Sequence, residues 1–354
     1  MRKIVGFLFL SLIVFSHQAF GQATSCAQTL RLAQTTYEQG RLHELEAQLE
    51  SCLKNGFDDT QKVAAYKYLT LAYIYLEEPE KADASMLELL RTDHFFKPND
   101  AVDPAEFIAL YRKFRVDPLF RFGGKVGLTY TLPAISETFY VGGNAEGNGQ
   151  FNPRFGFSVA GVFEKDFFGF IKNFSIAPEI GFMSRSYNYS NPTLTVKDEA
   201  SEDPNFRILE NIQKQNWFDL NLMCQYKIKD NKFNPYIGIG PGISFLSGSS
   251  NEIQTEVIDV GTVTGSSIKT KDSYKTLSYS AIITLGSKIR LGGFYLTGDI
   301  RYQYGLNNVV NESSRSNMEA LFDYGFVSPN YRHNNVTINL GLVIPYFNPK
   351  KLIK

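Results

Sequence analysis

Apolar and polar residues alternate most regularly between Tyr274 and Leu306. Leu277, Tyr279, Ala281, Ile283, Leu285, Ile289 and Leu291 fall on one parity, and Ser278, Ser280, Thr284, Gly286, Lys288 and Arg290 on the other. Beyond Gly292-Gly293 the pattern resumes, with Phe294, Leu296, Ile300, Tyr302, Tyr304 and Leu306 opposed to Thr297, Asp299, Arg301 and Gln303. A period of two marks a strand, and paired glycines supply the positive φ of a tight hairpin. Both runs exceed the roughly 5–6 residues usual for strands of soluble domains. Long strands with one apolar and one polar face suit a barrel standing in a bilayer.

The same alternation predicts six further strands: 121–132, 154–164, 174–187, 217–228, 236–246 and 335–347. With the opening hairpin that makes eight, an even number. The connections alternate in length. Long ones fall at 133–153, 188–216, 247–273 and 307–334, and short ones at 165–173, 229–235 and 292–293. Bacterial barrels combine short periplasmic turns with longer external loops, and a soluble sandwich has no reason to keep that rhythm.

Ahead of the strands the period is helical. Cys26, Leu30, Ala33 and Tyr37 form one stripe, and Leu42, Leu45, Leu49 and Cys52 a second. Val63, Tyr66, Leu69, Tyr73 and Leu76 form a third, and Ala82, Met86 and Leu90 a fourth that opens at Pro79. Asp103 to Glu106 is expected to cap a last helix through Phe107, Leu110, Tyr111 and Phe114. Tyr37 to Cys52 and Tyr75 to Leu90 repeat at one common offset, and helical hairpins of that size resemble tetratricopeptide repeats. Such repeats present a concave face to a peptide or partner protein. Val116-Asp117-Pro118 is the joint between the halves.

The first residues read as an export signal: Arg2 and Lys3, an apolar run from Ile4 to Phe15, and Ala19-Phe20-Gly21 as a cleavage site. The mature chain then begins at Gln22. Acylation at Cys26 is the lesser alternative, since no Leu precedes it in the usual place. In an oxidising compartment Cys26 and Cys52, at neighbouring ends of an antiparallel helix pair, are expected to form a disulfide. The plain alternative is two buried thiols. The expected layout is a signal at 1–21, a periplasmic helical domain at 22–115, a linker at 116–120, a barrel at 121–347 and a periplasmic tail at 348–354. The fold class is α+β multidomain: all-α tetratricopeptide-like hairpins, then an eight-stranded antiparallel transmembrane β-barrel.

An export signal, aromatic alternating strands and the glycine-rich run Tyr236-Ile-Gly-Ile-Gly-Pro-Gly-Ile243 resemble the PorT-like outer-membrane β-barrel proteins of Bacteroidetes. The resemblance spans about Phe120–Phe347 and is one of architecture. It implies an outer-membrane location, and some relatives serve type IX secretion and gliding. Many outer-membrane barrels end on Phe, whereas this chain continues past Phe347 into Asn-Pro-Lys-Lys-Leu-Ile-Lys, so an internal insertion signal is expected.

Composition adds little that competes. Net charge is zero, which gives no argument for nucleic acid. Aromatic residues make up 14%, with 29 Phe and 20 Tyr, enough for girdles at both interfaces. The inward parity collects Lys125, Glu164, Glu179, Arg185, Asp219, Lys227, Lys288, Arg290, Asp299 and Arg301, expected to form a polar network that fills the lumen. The rival reading of the same charges is a narrow solute or ion pore. An enzyme would need a histidine near the interface. His43 and His94 fall in the helical part, and His333 is expected at an external edge without a G-x-S-x-G element. No His or Cys pair has metal-ligand spacing, Cys224 is expected to be a small hydrophobe, and Asp198, Glu199, Glu202 and Asp203 read as a solvated loop rather than a calcium site. No catalytic, cofactor or metal residue is therefore expected. The expected partners are outer-membrane lipid and an envelope protein bound through residues 25–115.

Overall fold

The computed structural model describes residues 20–139, 150–167, 173–190, 206–228, 232–257, 261–317 and 327–352. The export signal lies outside them up to residue 19, as does the acidic loop at Asp198 to Asp203. The chain divides into two compact units: residues up to Pro118 together with Phe347 onward, and Leu119–Tyr346.

The helical unit contains α1 (Phe20–Glu38), α2 (Leu45–Lys54), α3 (Asp59–Tyr75), α4 (Pro79–Thr92) and α5 (Ala105–Tyr111). Gly40 ends the first helix at φ 76°, a conformation that favours glycine. A capping box starts α3: Asp58 Oδ1 accepts from Gln61 N at 2.8 Å, and Gln61 Oε1 accepts from Asp58 N at 3.2 Å. The expected cap at Asp103 differs. Pro104 occupies the position before α5, and Asp103 instead accepts from Asn99 N at 2.8 Å and pairs with Lys67, so its carboxylate closes the preceding loop. Ala33, Leu45, Leu49, Leu69 and Ala82 build one core, and Leu71, Met86, Leu89, Phe107 and Phe114 a second. A disulfide joins Cys26 to Cys52 across 5.7 Å between Cα atoms. Residues 347–352, read from the sequence as a strand end and tail, pack with this unit: Phe114 pairs with Lys351 in an antiparallel bridge.

The second unit is a single antiparallel sheet. Its strands are β1 (Phe120–Glu137), β2 (Gln150–Asp166), β3 (Phe174–Ser190), β4 (Phe206–Lys227) and β5 (Phe233–Val257), then β6 (Gly261–Thr264), β7 (Ile268–Lys269), β8 (Leu277–Leu291), β9 (Phe294–Gly305) and β10 (Asn330–Tyr346). Eight of them close a ring in the order β1-β2-β3-β4-β5-β8-β9-β10, with β10 returning to β1. β6 and β7 are short additions paired to β5. Closure gives each of the eight strands a partner on both sides along the ring, as a bilayer requires. Leu128, Ile180 and Leu340 are each more than 60% exposed, the outward side of the alternation. In the β8–β9 turn Gly292 takes φ 60° and Gly293 does not share the left-handed conformation, which is the demand of a type II′ turn.

The strands run further than apolar alternation predicts. β4 begins at Phe206 rather than Trp217, and β5 continues to Val257 rather than Leu246. Much of the expected long links at 188–216 and 247–273 is therefore strand, and β10 starts at Asn330 rather than Asn335. All these extensions fall at one end, called here the far mouth. The opposite end, where β1 begins and β10 finishes, is the near end.

Candidate functional site

Strand parity aims one set of side chains inward, and register decides which of them meet. Nearest the near end, Arg121 grips Asp166 with both Nη atoms (2.9 and 2.8 Å) and reaches Glu164 at 3.2 Å. Lys227 pairs with the same Asp166 at 2.7 Å. Lys288 pairs with Glu164 and donates to Gln225 Oε1 at 3.0 Å. Arg290, one pleat further along β8, is half-buried at the rim.

A middle tier is more deeply enclosed. Lys125 lies 3.2 Å from Glu179 and 2.9 Å from Asp299. Arg301 holds Glu179 through both Nη atoms, at 2.7 and 3.0 Å. Asp299 also accepts from the Tyr236 hydroxyl at 3.0 Å and from Asn339 Nδ2 at 2.7 Å. Two cations thus face two carboxylates with extra donors, the condition under which buried charge is tolerated. Gly286 makes room for Tyr236: a Cβ there would stand 2.6 Å from Tyr236 Cζ and 2.7 Å from Asp299 Cβ. Gly286→Val is expected to cost about 1–3 kcal/mol through overpacking, read as a lower urea midpoint of the barrel in micelles; an unchanged midpoint would contradict this packing.

Toward the far mouth the lumen becomes aromatic. Arg185 pairs with Asp219 at 3.1 Å, donates to Ser244 Oγ at 2.9 Å and lies 4.9 Å from the Trp217 ring centroid. His333 Nε2 meets the Tyr187 hydroxyl at 3.0 Å, that hydroxyl meets Tyr331's at 2.7 Å, and Tyr331 donates to Gln213 Oε1 at 3.0 Å. Tyr187, Trp217, Leu246, Tyr274, Val309, Val310 and Tyr331 close over this tier as an apolar cluster. Val309 and Val310 come from the segment after β9, where Asn308 Oδ1 accepts from both Val310 N (3.1 Å) and Tyr331 N (3.2 Å).

Three of these contacts join opposite walls. Lys288 on β8 and Glu164 on β2 are four strands apart in either direction round the ring, as are Arg301 on β9 and Glu179 on β3, and Tyr331 on β10 and Gln213 on β4. The lumen is braced from wall to wall at three heights.

Lys125, Glu164, Glu179, Arg185, Asp219, Lys288, Asp299 and Arg301 are buried, while Lys227 is half-buried and Arg290 stands at the rim. Arg121 and Asp166 belong with them and share parity with Lys125 and Glu164, so the signal was available. Tyr187, Trp217, Tyr236 and Tyr331 were missed as inward groups. His333 corrects an expectation: it is 2% exposed within the lumen, not at an external edge, because β10 starts early enough to give position 333 the inward parity of Asn335 and Asn339. His43 and His94 lie in the helical unit. Among the described residues no three His, Cys, Asp or Glu side chains form a metal-binding group.

Residues 114–311 match the family described as outer membrane protein beta-barrel domain. Comparison with curated protein sequences gives no match. Among solved structures, Neisserial surface protein A is similar at 12% identity and TM-score 0.29, covering 64% of this chain and 97% of its own. The outer membrane protein OprG from Pseudomonas aeruginosa is similar at 10% identity and TM-score 0.35, covering 66% and 98%. The outer membrane protease OmpT from Escherichia coli is similar at 10% identity and TM-score 0.30, covering 64% and 96%. With its closed eight-stranded ring and a match over more than half its length, the chain belongs to the outer membrane protein beta-barrel domain family, and its place is the outer membrane.

Proposed function

We propose that the barrel is a non-enzymatic anchor, and that the helical unit it carries binds an envelope protein on the periplasmic side. The observation that carries this reading is the bracing of the lumen. Ion pairs and hydrogen bonds from wall to wall leave the barrel's interior committed to its own stability, so the helical unit is the part available for work. Leu32 and Tyr75 on that unit are large, apolar and at least half exposed, which makes them suitable positions at which to probe for a partner. The helical hairpins are read as tetratricopeptide-like, and the setting as a secretion or gliding assembly of the kind PorT-like barrels serve. Short links at the near end and longer ones at the far mouth support a periplasmic near end.

Photo-crosslinkers placed at Leu32 and Tyr75 of the full chain in cells are expected to trap a defined envelope protein. Recovery of uncrosslinked monomer alone would remove the reading. The rival pore makes the opposite demand on the barrel. In planar bilayers the wild-type protein is expected to be silent; discrete conductance steps that change when Asp299 or Arg301 is neutralised would favour the pore.

A further inference from the structure

Residues 347–352 lie in the helical unit as an extended strap held by three kinds of contact. The Phe347 ring stacks on His94 (centroids 5.0 Å apart, 26° between planes) and meets Phe95 edge-on at 5.1 Å. The backbone pairs next: Arg115 N donates to Lys350 O at 2.9 Å, and Leu352 N donates to Lys113 O at 2.7 Å. Arg115 Nε adds a bond to Asn348 O at 3.1 Å. Lys351 then forms an ion pair with Asp83 of α4.

The receiving edge is fixed in advance. Phe114, at its centre, belongs to the same buried cluster as Leu71, Met86, Leu89 and Phe107, and that cluster holds the receiving backbone. Neither core of the helical unit includes a residue of 347–352. The strap is therefore an occupant of a formed surface, not a piece of its foundation. Main-chain bonds to a free edge with side-chain selection on either side is the physics of strand addition, a common mode of peptide recognition.

We propose that this groove is a recognition site for extended protein segments carrying an aromatic residue four positions before a lysine, and that the chain's own C-terminal segment is its resident occupant. The proposal rests on the partner-binding reading of the helical unit and names the surface and the chemistry. A partner segment enters by displacing residues 347–352. Because the strap is tethered, its effective concentration is of millimolar order, so weak or non-cognate segments are kept out.

The test uses the full chain in detergent micelles and a fluorescent peptide of residues 347–354. Phe347→Ala combined with Lys351→Ala removes the ring contacts and the ion pair of the strap, leaving only its main-chain bonds and every barrel residue unchanged; this is the released variant. This variant is expected to bind the peptide at least about tenfold more tightly than wild type. Adding Asp83→Lys to the released variant is expected to lose at least about tenfold, and a peptide carrying Lys351→Glu to recover it on that background. Equal binding by wild type and the released variant, or binding by neither, overturns the proposal, as does indifference to Asp83→Lys. Trapping of an envelope protein at Leu32 and Tyr75 with no peptide binding would sink the groove and leave the proposed function standing. Peptide binding with no trapped protein would do the reverse.

Discussion

Glu179→Ala is expected to destabilise the barrel by about 3–5 kcal/mol, the usual cost of removing one member of a buried ion pair. The carboxylate serves two cations, Lys125 and Arg301, and is itself only 2% exposed. Without it both are left to share Asp299 in a buried interior. The single tryptophan of the chain, Trp217, is fully buried in the lumen and makes fluorescence a reporter of this unit alone. Urea titration of the micelle-bound protein should show the fall in midpoint. Glu179→Met with Arg301→Met should recover most of it, because Lys125 and Asp299 then remain as a balanced pair at 2.9 Å. A single variant as stable as wild type, or a double variant worse than the single, would contradict the assignment of the brace.

Cys26→Ser with Cys52→Ser should remove about 3 kcal/mol from the helical unit, as the loss of a cross-link between residues 26 apart does in the chain-entropy model. The effect should be confined to that unit. Far-ultraviolet circular dichroism on heating should show helix loss at lower temperature, while the Trp217 transition stays in place. A shift of the Trp217 transition by a similar amount would mean that the units unfold together, and no shift in either would mean the disulfide carries no stability.

The barrel was legible in the sequence because lipid on one side and a polar lumen on the other force a period of two, as in Leu277 to Leu291. That signal stops where lipid stops. In β4 the residues from Glu210 to Asn216 are almost all polar, as are those of β5 from Ser247 to Gln254, so parity vanishes and the strands read as loop although their pairing continues to Phe206 and Val257. His333 was misplaced for the same reason, lying in the polar start of β10. The inward charges were readable one strand at a time. Which of them touch was not, since Arg301 meets Glu179 only through the register of every strand between them. Tyr187, Trp217 and Tyr331 escaped notice because an aromatic ring suits both a membrane girdle and a packed mouth.

The ring is sealed by the pairing of Phe120 with Tyr346, the first and last residues of the sheet. No earlier subset of strands can shut, so the nascent chain carries bare strand edges until its final segment has been synthesised and delivered. Long-range pairing of this kind is slow, and unprotected edges aggregate. Escort by a holding factor follows as a requirement of the topology, and a transcript truncated anywhere before β10 yields only substrate for proteolysis.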